Sequence, residues 1–106
     1  MRSKMMSYLG FAAKARKIVN GYNTCIFMME KRKVKLLVLA EDLAENSKKK
    51  MVSAAQKHAV PYKIYGTMDE ISQITGTSGK GIFAITDDNF ASVILKEIEQ
   101  LQSCEH

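Results

Sequence analysis

The sequence predicts an α/β fold, a sandwich built on a central sheet of four short strands with helices on both faces, packed as a single domain over residues 1–106. Three observations carry this expectation. Segments with apolar residues at helical spacing alternate along the chain with short extended runs. One of those runs, Val34-Lys35-Leu36-Leu37-Val38-Leu39-Ala40, is almost continuously apolar, as a strand covered on both faces must be. Finally, 106 residues at 46% hydrophobic and 25% charged are one domain's worth of ordinary globular chain, able to bury a core without staples. Alternation of this kind points to a largely parallel sheet.

Residues 3–15 carry Met5, Leu9, Ala12 and Ala13 at helical spacing, with Ser3 as the expected N-cap. Ile18-Val19 is a short extended step that ends at the turn signal Asn20-Gly21. A second helix is expected over about 23–31, with Cys25, Ile26 and Met29 on its apolar side. After the apolar strand, Glu41-Asp42 breaks the pattern, and a third helix over about 47–59 turns Met51, Val52, Ala55 and Ala59 inward. Pro61, the single proline, opens a strand through Tyr65. Thr67 and Glu70 stand three apart, the spacing of a capping box, and start a short helix to Ile74. Gly76-Thr77-Ser78-Gly79-Lys80-Gly81 reads as a flexible loop before the strand Ile82–Thr86. A last helix from about Asn89 shows Phe90, Val93, Ile94, Ile98 and Leu101 at helical intervals.

Several function classes drop out. No apolar run approaches the ~20 residues that a membrane span requires. The start of the chain, Met1-Arg2-Ser3-Lys4, lacks the apolar core and cleavage site of a signal peptide, so a cytoplasmic protein is expected. Cys25 and Cys104 share no metal-ligand spacing, and His58 and His106 are poorly placed to complete a site, so neither metal nor cofactor is expected. Cys25 near a helix N-terminus has no partner base nearby and reads as a packed thiol. Asp87-Asp88 reads as a helix cap. No catalytic constellation emerges.

Charge is unevenly divided. Residues 1–63 hold fourteen of the sixteen Lys and Arg but four of the eleven Asp and Glu, a net +10; the remainder holds two against seven, a net −5, which returns the overall +5. A chain so polarised can gather polyanions on one face, although lysines also simply solvate helices. Lys48-Lys49-Lys50 at the start of the third helix stands where a helix disfavours cations, whereas Lys31-Arg32-Lys33 suits the end of the second. Gly21 permits the positive φ of a sharp strand-to-helix turn, and Asn23 and Thr24 follow at the first turn, where free N–H groups favour phosphate. Helix capping alone would also account for that Asn and Thr. The loop Gly76–Gly81 is not a P-loop, since Ile82 stands where that motif needs lysine.

These pieces, in order, resemble a known family. Leu9-Gly10-Phe11-Ala12-x-Lys14-Ala15-x-Lys17-Ile18-Val19-x-Gly21, then Lys35–Asp42, then Val60-Pro61-Tyr62, are similar to the L-seven-Ae/L-thirty-e superfamily of ribosomal and kink-turn RNA-binding proteins. The opening and residues 41–50 most resemble its small bacterial YlxQ-type branch, and the likeness runs from about residue 5 to 98. The resemblance implies a three-layer α/β/α sandwich around a four-stranded mixed sheet, RNA binding and no catalysis. In that family a Gly-x-Asn-Glu-x-x-Lys motif at the start of the second helix enters the RNA groove beside a kink and its sheared G·A pairs. Gly21 and Asn23 match it; Thr24 replaces the Glu and Phe27 the Lys. Phe27 is expected in the core, the alternative being a ring that stacks on a base. The family's second contact, the loop before the last strand, corresponds to Thr77-Ser78-Gly79-Lys80-Gly81, small and polar here.

The expected interface therefore joins Gly21, Asn23 and Thr24 to Ser78, Gly79, Lys80 and Gly81, with Lys14, Lys17, Arg32 and Lys48 as phosphate contacts around them. The expected partner is a kink-turn-like or ribosomal RNA, bound by a monomer, within the ribosome or another ribonucleoprotein. Two other readings stay open: a protein-interaction or ribosome-assembly module on the same fold, and a small α/β enzyme for an anionic substrate.

Overall fold

A computed structural model of the protein describes residues 4–103. The expected cap at Ser3, Cys104 and His106 lie outside the described residues. The chain runs α1 (Lys4–Lys14), β1 (Ile18–Asn20), α2 (Tyr22–Glu30), β2 (Leu36–Leu39), α3 (Glu45–Lys57), β3 (Tyr62–Ile64), α4 (Met68–Thr75), β4 (Ile82–Ile85) and α5 (Asp88–Ser103). The strands form one sheet in the order β1-β4-β2-β3.

Side-chain alternation explains why both central strands read as apolar without a break. Leu36 and Val38 of β2, with Phe83 and Ile85 of β4, face a cluster that includes Met5 and Leu9 of α1, Ile71 of α4, and Ile94 and Ile98 of α5. Leu37, Leu39, Ile82 and Ala84 face the opposite way, onto Cys25 and Met29 of α2 and Met51 and Ala55 of α3. Every residue of β2 and β4 is buried, so each strand lies between two helical layers. This is the α/β/α sandwich that the resemblance implied.

The sheet is mixed, as the resemblance implied, and the largely parallel arrangement expected from alternation alone is corrected. Only β2 and β3 pair in parallel; β4 runs antiparallel to both of its neighbours, β1 and β2. The cause is the connection from β3 to β4. It leaves beside Gly66, whose carbonyl accepts from Glu41, and returns beside Gly81, whose carbonyl accepts from Ala40. Both ends of the connection thus sit at one end of β2. Helix α4 makes no return passage along the sheet, so β4 must enter from the end where β3 left.

Helix ends account for the remaining differences. The Thr67 hydroxyl accepts from the Glu70 N–H at 3.1 Å, while the Glu70 carboxylate accepts from the Thr67 N–H at 3.0 Å, completing the expected capping box. Asp87 caps α5 by accepting from Phe90 N–H at 2.9 Å. Helix α3 starts at Glu45, two residues before the expected start, on a bond from Lys48 N–H to the Ala44 carbonyl. Lys48–Lys50 therefore lie in the second turn, clear of the dipole penalty that the sequence suggested. Ala59, expected inward, is exposed: α3 ends at Lys57, and Ala59 adopts φ +56° as the chain turns. There Val60 N–H reaches the Ala55 carbonyl and Ala59 N–H that of Gln56, a left-handed helix termination. Arg16 and Arg32 end α1 and α2 in the same way, each at φ +59°.

Candidate nucleic-acid interface

The turn from β1 into α2 is built on Gly21. Its φ of +95° and ψ of +152° fall where a side chain is strongly disfavoured, and its N–H donates to the Ile82 carbonyl at 3.0 Å. That bond ties the start of α2 to the start of β4. The Gly21 carbonyl accepts the first helical bond, from Cys25 N–H, so the N–H groups of Tyr22, Asn23 and Thr24 have no acceptor within the helix. No side chain caps this end. Asn23 and Thr24 are exposed at the second and third helical positions, so the capping role that would explain them is not theirs.

Beside this turn lies the loop before β4. Ser78, Gly79 and Lys80 are exposed, yet the loop is not the free connector that its composition suggests. Ser72 of α4, buried at 3% exposure, accepts from the Lys80 N–H and donates to the Lys80 carbonyl, each at 3.0 Å. At the other end Thr77 N–H bonds the Ser72 carbonyl, and the Thr75 and Thr77 hydroxyls meet at 3.2 Å. Gly81 is buried and structural: a Cβ there would meet Met68 Cγ at 2.9 Å and Leu43 Cδ1 at 3.0 Å.

Carboxylates at this end of the sheet hold backbone donors. Glu41 accepts from Gly66 N–H at 3.1 Å and Asp42 from Met68 N–H at 2.8 Å. Lys48 belongs to the same frame. Its Nζ donates to the Glu41 carbonyl at 2.6 Å and lies 3.5 Å from Glu45, with the side chain only 16% exposed.

The Gly21–Ile82 bond thus puts the start of α2, with Asn23 and Thr24, at the end of β4 that the Ser78–Lys80 loop leads into, and Gly81 and Lys48 are tied to that same end of the sheet through Ala40 and Glu41. The structure does not bring Lys14, Lys17 and Arg32 there. The Lys17 carbonyl accepts from Thr86 N–H, at the far end of β4 from Ile82, about 13 Å along an extended strand from Gly21. Lys14 ends α1 on that same side. Arg32 follows α2, whose nine residues carry the chain roughly 14 Å away from Gly21.

Phe27, expected in the core, is 55% exposed, with Lys31 Nζ 5.3 Å from its ring centroid. Helix α2 is apolar on nearly every side, so periodicity gives no means of telling its buried face from its open one. Phe27 lies one turn beyond Asn23 on the same face. Sequence reasoning named Phe27 but placed it in the core, and it missed Ser72, because an isolated serine in an amphipathic helix carries no local signal of its tertiary bond.

Nucleophilic chemistry finds no support at Cys25: burial pushes its thiol from 9.0 up to about 12, the reverse of activation. Among the described residues no three His, Cys, Asp or Glu side chains are grouped to hold a metal ion. No helix among them is long and apolar enough to cross a membrane.

Comparison with known proteins places this geometry among relatives. The model of the ribosomal protein L7Ae/L30e/S12e/Gadd45 family matches residues 3–95. The chain is 30% identical over 91 residues to the RNA-binding protein YlxQ of Bacillus subtilis (strain 168), covering 86% of this chain and 91% of that protein. It is 33% identical over 98 residues to the RNA-binding protein YlxQ of Enterococcus faecium, covering 92% and 94%. A protein of unknown function from Bacillus halodurans shares the fold with a TM-score of 0.89 at 23% identity, over 92% of this chain and 99% of that one. The Giardia lamblia 15.5kD RNA binding protein shares it with a TM-score of 0.76 at 18% identity, over 95% and 92%.

Proposed function

Because the chain belongs to the ribosomal protein L7Ae/L30e/S12e/Gadd45 family, we propose that it binds RNA through the sheet end formed by Gly21–Thr24 and Ser78–Lys80. The RNA in this reading is a kink-turn or similarly bent helix, in ribosomal RNA or another ribonucleoprotein. The observation that carries it is the exposed pair Asn23 and Thr24, free of capping duty, beside three backbone N–H groups without acceptors in the helix and a pinned loop. The names of the two YlxQ relatives support the same partner.

Each part has a physical task. The open N-terminus of α2 presents N–H donors and the positive end of the helix dipole to a phosphate. The Asn23 carboxamide offers a donor and an acceptor together, which suits a base edge in a distorted groove. Thr24 supplies a hydroxyl without the reach or charge of the family's glutamate. Ser78–Lys80 offers small polar groups and one cation to a displaced nucleotide. Phe27 gives an exposed ring on the face that carries Asn23, a stacking surface where relatives of the motif place a lysine.

The test is a titration of a kink-turn RNA and a straight duplex of equal length across salt concentrations. Tighter binding to the kinked RNA, reduced by Asn23→Ala, is the expected result. Equal binding to both, vanishing steeply with salt, refutes it. The exposed Phe27 favours a second reading in that event, a protein-interaction or ribosome-assembly module, in which binding to ribosomal particles survives alanine at Lys17, Asn23 and Lys80.

A further inference from the structure

Helices α2 and α3 follow β1 and β2, which point the same way, so both helices start at the proposed RNA-binding end and run back along the sheet. A groove of about 410 Å³ lies between them, lined by Tyr22 and Ile26 of α2 and by Lys49, Lys50, Ser53 and Lys57 of α3. Resting on the proposed function above, we propose that this groove is a second RNA contact, a channel for the phosphate backbone of one stem flanking the kink.

Charge, exposure, continuity and spacing support the channel. No acidic residue lines the groove. Lys49, Lys50 and Lys57 are exposed, and none has a carboxylate within 4.0 Å among the described residues. Stabilisation of α3 does not call for Lys50: the positions three and four residues away hold Asn46, Ser47, Ser53 and Ala54, and none of them is acidic. Glu45, one turn before Lys49 on α3, lies 3.5 Å from Lys48 instead. The groove is also continuous with the first site. Tyr22, 40% exposed, is the residue before Asn23 and stands in the groove wall. From Lys50 to Lys57 is seven residues of helix, about 10 Å, enough for the lysines to address separate phosphates of one strand.

A solvated helix face would leave these lysines without effect on any particular RNA. A backbone channel makes them matter only when the RNA is long enough to reach them. Three RNAs with the same kink distinguish the two cases: one with short stems, and two in which one or the other stem is lengthened by a helical turn. Wild-type protein, the triple variant Lys49→Gln, Lys50→Gln, Lys57→Gln, and Asn23→Ala are titrated with each across salt. The glutamines keep most of the side-chain stem and lie on exposed positions, so the fold is retained.

The expected result is that lengthening one stem strengthens wild-type binding, and that the triple variant loses this gain while binding the short-stem RNA as wild type does. The slope of log K against log salt for that long-stem RNA should fall by about 2 to 3, near 0.7–0.9 for each lysine removed. Asn23→Ala weakens binding to all three RNAs. A triple variant that matches wild type on every RNA, or that loses equally on all of them, overturns the channel while leaving the first site standing. Failure of the wild type to prefer the kink over a duplex overturns the proposed function itself, and the channel with it.

Discussion

Replacing Ser72 with alanine removes one hydroxyl that bonds both backbone groups of Lys80. The Ser72 oxygen accepts from Lys80 N–H and its O–H donates to Lys80 C=O, both at 3.0 Å, and the residue is 3% exposed. Each neutral bond contributes about 1 kcal/mol net, and removing one partner leaves the other to be rehydrated at a part-buried site. The expected loss is about 2 kcal/mol, and a domain of this size then unfolds at a temperature lower on the order of 10 °C. Urea unfolding followed by circular dichroism measures the stability, and hydrogen exchange at the Lys80 amide measures the local effect. That amide is expected to be protected in the wild type and to exchange far faster in Ser72→Ala. RNA affinity falls as well, because Ser78–Lys80 must then be ordered at the moment of binding. Unchanged stability together with an unchanged Lys80 amide would refute the reasoning, since neither bond would then hold the loop.

Three further outcomes are expected. Phe27→Ala weakens RNA binding by about 1–3 kcal/mol with an unchanged salt slope, as loss of a stacked base requires; a change in slope would show the ring acting through charge neighbours such as Lys31. Above pH 9 the unfolded chain loses the Cys25 proton that the folded chain keeps up to about 12. Stability therefore falls through that window by roughly 1.4 kcal/mol per pH unit from this group, and the wild type minus Cys25→Ala difference in urea unfolding from pH 8 to 11 should show that slope. Ala59→Gly relieves a left-handed residue at φ +56° and should raise stability by about 0.5–1 kcal/mol, read as a higher urea midpoint at constant m-value.

What could be read in the sequence follows from how local its cause was. The capping box of Thr67 and Glu70, the Asp87 cap and the two apolar strands are set within a few residues, and they stand where expected. Sheet direction was not local, since it depends on residues 65–81 leaving and returning at one end of β2. Ala59 followed Ala55 at helical spacing, but periodicity does not say that α3 stops at Lys57. The site divides along the same line. Gly21, Asn23 and Thr24 are neighbours in the chain and stay together, whereas Lys17 is separated from them by a strand and Arg32 by a helix. Near in sequence, across an element that spans the sheet, means at the opposite end.

The fold also changes the meaning of the charge division along the chain. Residues of α2 and α3, with the turn through Lys33, hold seven Lys and Arg against Glu30 and Glu45; α4 and α5 hold Lys96 against five acids. The first pair covers one face of the sheet; the second pair lies on the other with α1, which adds only Lys4 and Lys14, so the polarity of the sequence becomes in good part a polarity of layers. At the proposed interface the two signs do different work. Glu41, Asp42 and Glu70 accept from backbone N–H groups and fix the turns, and Glu45 faces Lys48. Lys49, Lys50, Lys57 and Lys80 have no carboxylate within 4.0 Å among the described residues. Acids here hold the frame together with Lys48, and the other cations stay open. That is the arrangement a polyanion partner requires, because carboxylates already engaged with the backbone need not be displaced when phosphates approach the lysines.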